Sequence, residues 1–226
     1  MDDLQPGDTA PPLRPTAAAK PKLRGRLHQV AFVASVPAGI LLVLAAHTAT
    51  VGLATAVYAC SLAGMYATST AFHLGRWSPA VQRRLDQADH AMIYVLIAGT
   101  YTPFALLALA RPWGVVLGGV VWAVAAVGIV VVVRWHRIRV VGITLYLTLG
   151  WLAVFTLPWL VGRLGTAKLV LMVAGGVLYT VGAVVLMLQR PDPNPAVFGY
   201  HEVWHTFTIA AAVCHYALIW LLVAAA

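Results

Sequence analysis

Trp113-Gly-Val-Val-Leu-Gly-Gly-Val-Val-Trp-Ala-Val-Ala-Ala-Val-Gly-Ile-Val-Val-Val-Val133 runs for 21 residues without a charged side chain. As a helix it spans roughly 30 Å, the thickness of a bilayer's hydrocarbon core. Its polarity does not alternate, so it is not a strand of an outer-membrane barrel. In lipid, backbone polar groups must be satisfied within the segment, and a helix does this alone. Similar apolar runs lie on either side, at 29–46, 51–74 and 88–109 before it and at 140–161, 167–188 and 200–225 after it. Polar breaks separate them near His47, Gly75–Gln87, Arg111-Pro112, Arg134–Arg139, Gly162–Lys168 and Arg190–Pro195. The expected fold is all-α, a polytopic bundle of seven transmembrane helices over residues 28–226. Gly99, Pro103 and Pro158 are expected to bend their helices, which neighbours in a bundle can accommodate.

The whole chain agrees with this stretch. Its 226 residues are 61% hydrophobic and 10% charged, with a mean hydropathy of +0.84. A soluble domain is about 45–50% apolar and about 25% charged. An ordinary soluble domain, a disordered chain and a coiled coil are therefore excluded. Cys60 and Cys214 both fall inside apolar runs and imply no disulfide framework.

Residues 1–27 are rich in Pro, Ala, Lys and Arg and read as a disordered basic cytoplasmic tail. They lack the layout of a cleavable signal peptide, so the first span is expected to stay as an anchor. Lys and Arg divide unevenly between the two sides. Arg14, Lys20, Lys22, Arg24, Arg26, Arg76, Arg83, Arg84, Arg134, Arg137, Arg139 and Arg190 share the side of the tail, whereas the opposite loops hold only Arg111, Arg163 and Lys168. This bias of twelve to three puts the N-terminus in the cytoplasm and the C-terminus outside. It also accounts for the net charge of +8 without a nucleic-acid partner. The expected location is the plasma membrane, as a multi-pass protein of a bacterial inner membrane.

Ionisable groups inside membrane segments are costly and mark function by default. Ser69 and His73 sit at i, i+4 at the end of span two, Asp89 and His90 open span three, and His201, Glu202 and His205 open span seven. With seven spans, all three places lie at the cytoplasmic ends of their helices. Ser69, His73, Asp89, His201 and His205 therefore converge in one leaflet. Three imidazoles with a carboxylate suit zinc, which takes about four N, O or S ligands and keeps a water in catalytic sites. Each residue alone has a plainer reading. The histidines could touch headgroups, Asp89 could cap a helix, and Ser69 could bond back to a helix carbonyl. His90 points about 100° away from Asp89 and is expected at the interface. His28, His47 and His136 lie at span edges or in loops and receive no chemistry. His215, about 15 Å deeper than His205, is expected to make a hydrogen bond within the bundle.

His201-Glu-Val-Trp-His205 also reads as HExxH, in which two histidines bind zinc and the glutamate is a general base. A zincin needs a further ligand downstream. The only His, Asp or Glu beyond His205 is His215, in what reads as unbroken helix.

Four stretches together resemble the hemolysin III family: Ser69-Thr-Ala-Phe-His73, Leu85-Asp-Gln-Ala-Asp89-His-Ala-Met-Ile-Tyr94, Leu96-Ile-Ala-Gly-Thr-Tyr-Thr-Pro-Phe104 and His201-Glu-Val-Trp-His205. That family groups with the progestin and adipoQ receptors and, more distantly, with alkaline ceramidases. The resemblance extends over about residues 28–226. It implies a seven-helix bundle with zinc near the cytoplasmic face, held by His73, His201 and His205. It further implies that Asp89 holds or activates a water on the metal and that Ser69 hydrogen-bonds beside it. The long cytoplasmic domain of the eukaryotic receptors has only the 27-residue tail in its place.

The leading expectation is a zinc-dependent hydrolase of an amide or ester bond in a membrane lipid, ceramide-like or acyl. Asp89 would act as general base and proton carrier, with Ser69 steadying the developing oxyanion. The alternatives are a membrane-homeostasis sensor or receptor with structural zinc, a cytolysin, and an intramembrane zincin protease using Glu202.

Overall fold

The computed structural model describes residues 20–135 and 139–226. Its helices are α1 (Arg26–Leu44), α2 (Ala49–Leu74), α3 (Pro79–Ala108), α4 (Trp113–Trp135), α5 (Arg139–Trp151), α6 (Leu157–Leu160), α7 (Thr166–Leu188) and α8 (Tyr200–Val223). A 3₁₀ segment, Leu152–Thr156, joins α5 to α6, and the three together form one span. Seven segments are thus long and apolar enough to cross a bilayer. The chain is a multi-pass membrane protein, as its composition predicts.

Short-range chemistry sets the ends. Thr48 accepts the Val51 N–H at 3.2 Å and starts α2. Ser78 caps α3 through the Val81 N–H, with Pro79 in the first turn, where its missing N–H costs nothing. This cap extends α3 further than the apolar run alone suggests. Residues 79–87, read from sequence as loop, are the first turns of the helix.

The expected bend at Pro158 is a break. Proline lacks an N–H and crowds the carbonyl four residues back, and here the α-helix gives way to the 3₁₀ segment just ahead of it. The released backbone groups are taken up by α3. Tyr101 Oη accepts the Ala153 N–H at 2.6 Å and donates to the Gly150 carbonyl at 2.9 Å. In a membrane such groups need a protein partner. Pro103, by contrast, lies within a continuous α3.

Sequential helices pack side by side, α8 returns to α1, and α3 touches α2, α4, α5 and α8. Two apolar clusters flank α3. One joins Tyr94, Tyr101 and Phe104 to Val121, Leu149, Leu160 and Leu218. The other joins Leu42, Tyr58, Leu62, Tyr66, Leu96 and Ile219. Gly99 lets α2 and α3 approach closely, for a Cβ there would lie 2.6 Å from the Ser61 Cβ. Val30, Leu44, Leu53, Val127, Leu188 and Val213 face outward, as a lipid-facing surface requires.

Residues 1–19, most of the segment read as a disordered tail, lie outside the described residues, as does His136. The remainder of that segment is fastened. The Lys22 and Leu23 N–H groups donate to the carbonyls of Ala196 and Val197 at 3.0 and 3.1 Å, and α1 starts at Arg26.

Candidate metal centre

His73 stands in the last turn of α2, Asp89 in the third turn of α3, and His201 and His205 in the first two turns of α8. The turn before α8 is built by the loop ahead of it. Asn194 and Phe198 exchange backbone hydrogen bonds, Asp192 Oδ1 accepts the Tyr200 N–H at 2.9 Å, and Glu202 Oε2 accepts the Gly199 N–H at 2.9 Å. These contacts satisfy the unpaired donors of the first turn and fix where the histidine pair emerges.

The three histidines meet. One ligand nitrogen from each of His73, His201 and His205 lies within 4.8 Å of the others. His73 Nε2 is 3.2 Å from His201 Nε2 and 3.8 Å from Asp89 Oδ2. His73, Asp89, Ser69 and His205 are all buried. His205 is 1% exposed, yet neither of its ring nitrogens has a hydrogen-bond partner. Buried polar atoms are nearly always satisfied, so an orphaned pair needs an explanation. A cation among three converging imidazoles supplies one, and the donor set suits zinc. The cluster could hold a metal ion.

Two residues that the sequence reading set aside belong to this centre. His28, on the first turn of α1, is 3% exposed. Its ring lies flat on that of His205, with centroids 3.7 Å apart and planes 2° from parallel. Its Nδ1 is 2.8 Å from Ser69 Oγ and its Nε2 3.3 Å from Thr208 Oγ1. The signal was available, since span one begins on the same side as the other four. Arg24 is the second. Its Nε donates to Glu202 Oε1, and the glutamate is completely buried.

The segment 20–25 therefore lies across the loop end of the centre as a strap. Lys20 Nζ donates to the His73 carbonyl. Partial burial, together with the nearby Arg24 charge, holds the Lys20 ammonium below its usual range. Gly25 adopts φ +79°, and a Cβ there would come within 2.6 Å of the His73 Cβ. Both the left-handed backbone and the close approach demand glycine.

The remaining histidines stay apart. His90 turns to the Asp86 carbonyl at 2.8 Å. His47 lies in the α1–α2 connection. His215 Nε2 faces the Met172 carbonyl at 3.4 Å, the expected contact within the bundle. It also lines an apolar cavity of about 60 Å³ between α3, α5, α7 and α8.

Comparison with known proteins places these residues in context. The family model described as Haemolysin-III related matches residues 16–216. The chain is 34% identical over 189 residues to hemolysin-3 of Bacillus cereus, covering 82% of this chain and 83% of that one. It is 30% identical over 189 residues to a hemolysin-3 homolog of Bacillus subtilis, covering 82% and 85%. It is 28% identical over 169 residues to the human monocyte to macrophage differentiation factor, covering 73% and 68%.

Proposed function

The chain belongs to the Haemolysin-III related family, and on that premise we propose that this multi-pass membrane protein is a zinc-dependent hydrolase of amide or ester bonds in membrane lipids. The observation that carries the reading is His205, buried with both ring nitrogens unpartnered at the meeting point of His73 and His201. His73, His201 and His205 would hold the ion. Zinc held by three imidazoles polarises a carbonyl and lowers the pKa of water toward about 7.

The chain's own groups supply the rest. Asp89, with a carboxylate oxygen 3.8 Å from His73 Nε2, takes the proton from the attacking water and returns it to the leaving group. Ser69, buried beside it, hydrogen-bonds at the reacting atoms. The centre lies within the helical segments at one end of the bundle, so a ceramide-like or acyl lipid enters sideways from the bilayer. The excess of Lys and Arg makes that end cytoplasmic.

Glu202 argues against a zincin protease. One of its oxygens is held by Arg24 and the other by the Gly199 N–H, so the carboxylate is not available as a base. A sensor with structural metal is the second reading, favoured by the strap of residues 20–25 across the centre and by the burial of His73. The hemolysin name is that of the bacterial relatives. A secreted pore former must be soluble before insertion, which a chain this apolar is not.

Metal analysis of the detergent-purified protein tests the reading. About one zinc per chain is expected in wild type, with loss in both His73→Ala and His205→Ala. A zinc-loaded wild type should then turn over ceramide-like or acyl-lipid substrates, and Asp89→Asn should keep its zinc but lose turnover. Zinc without turnover, in an assay where an alkaline ceramidase works, leaves the sensor reading. A wild type without zinc overturns both.

A further inference from the structure

We propose that His28 is a positioning residue of the metal centre, which fixes the ring plane of His205 by stacking and turns the Ser69 oxygen toward the reaction as a hydrogen-bond acceptor. The inference rests on the metal reading and assigns roles within that site.

The stacking claim follows from what His205 lacks. A ligating histidine is ordinarily oriented by a hydrogen bond from its second nitrogen to a carboxylate, carbonyl or water. Neither nitrogen of His205 has a protein partner. Its ring is held instead through its face, by the parallel His28 ring at 3.7 Å. Tyr66 meets His28 edge-on at 5.1 Å, which keeps that ring in place from the side. A neutral aromatic face also suits an imidazole that gains positive character on binding a cation. His28 is not a fourth ligand, because both of its nitrogens are already engaged by hydroxyls.

The second claim follows from counting protons along one chain of contacts. Thr208 Oγ1 donates its only proton to the His205 carbonyl at 2.9 Å. It must therefore accept from His28 at the 3.3 Å contact, so His28 carries its proton on Nε2. Nδ1 is then an acceptor, and the 2.8 Å contact is a bond donated by the Ser69 hydroxyl. Asp89 also lies within hydrogen-bond reach of Ser69, so the Ser69 proton has two competing acceptors; committed to His28, it leaves Ser69 only lone pairs for the centre. Ser69 then seats a donor, such as the attacking water, and cannot donate to a developing oxyanion. This reverses the oxyanion-donor role that the sequence suggests for Ser69.

Two readouts test the pair of claims. The tautomer is read by NMR of the full chain in detergent micelles, labelled with ¹⁵N-histidine. His28 is assigned by the signals lost in His28→Phe. A proton on Nε2 with a bare Nδ1 is expected. A proton on Nδ1, or on both nitrogens, overturns the acceptor role of Ser69.

Stacking is read by zinc competition against a chelator of known affinity. His28→Phe keeps a ring without hydrogen bonds, and His28→Leu fills similar space with neither. His28→Phe should bind zinc within about threefold of wild type, whereas His28→Leu should lose about 10–100-fold, as supporting residues of metal sites typically do. Equal affinities in the two variants, whether both high or both low, overturn the stacking claim, since packing alone moves them together. Wild type that binds no zinc overturns the metal reading and the stacking claim together, while the tautomer measurement still decides the polarity of Ser69.

Discussion

Glu202 shows how a single side chain can satisfy a motif and serve another purpose. Its sequence neighbours give HExxH, but its carboxylate joins Arg24 to the start of α8 and is fully shielded from solvent. A buried charge without its partner is strongly destabilising, which makes the pair a structural tie. Glu202→Gln is therefore expected to keep about one zinc per chain while loosening the strap. Hydrogen exchange at the Lys22 and Leu23 amides, which pair with Ala196 and Val197, should quicken by about tenfold or more, as local opening becomes easier. Loss of the metal in this variant, with exchange unchanged, would show that the glutamate serves the centre instead. His73, Asp89, His201 and His205 could be found from their sequence because i, i+4 spacing and position along a span are local properties. Arg24 lies before the first apolar run and carries no such pattern, and His28 offers only its place at the start of span one; which groups they meet, 41 to 180 residues away, is set by packing.

Among the elements, α3 bears most of the architecture. It touches helices on both sides, and its Tyr101 satisfies the backbone that the break before Pro158 exposes. Its contact with α2 depends on the absence of a side chain at Gly99. The obstacle there includes the Ser61 Cβ, which cannot swing aside as the tip of a long side chain could. Gly99→Ala should therefore force α2 and α3 apart and cost about 1–3 kcal/mol, read as a lowered thermal midpoint in detergent. An unchanged midpoint would mean that the helix pair is not packed this closely. Because α2 and α3 carry His73 and Asp89, zinc affinity should fall with it. The apolar run beginning at 88 located this span. It did not reveal the start at Pro79, since turns that leave the membrane carry polar residues and read as loop until their cap is recognised.

For the whole molecule, the arrangement of charge predicts which way the bundle faces. By the alternation of spans in the sequence, twelve of the fifteen Lys and Arg residues are expected on the side of the N-terminal segment, the side on which the buried His28, His73, Asp89 and His205 are gathered. A phosphatase reporter active only outside the cytoplasm should be active when fused after Ala226. It should be silent when fused in the 75–78 connection. The reverse pattern would place the centre on the outer face and remove the charge argument. The basic strap at 20–25 would close that centre from the cytoplasm and leave the bilayer as the approach for a lipid.

The sequence specified seven spans, and it specified that Ser69, His73, Asp89, His201 and His205 share one end of the bundle. Both follow from conditions that each segment meets separately: the hydrocarbon thickness sets its length, and its backbone must satisfy its own hydrogen bonds. Tertiary packing settled the rest. It laid His28 against His205, turned Glu202 toward Arg24, and interrupted the fifth span where Tyr101 could receive its backbone. These outcomes depend on how far each helix is rotated about its axis and which neighbour it meets, and contacts between residues far apart in the chain fix both.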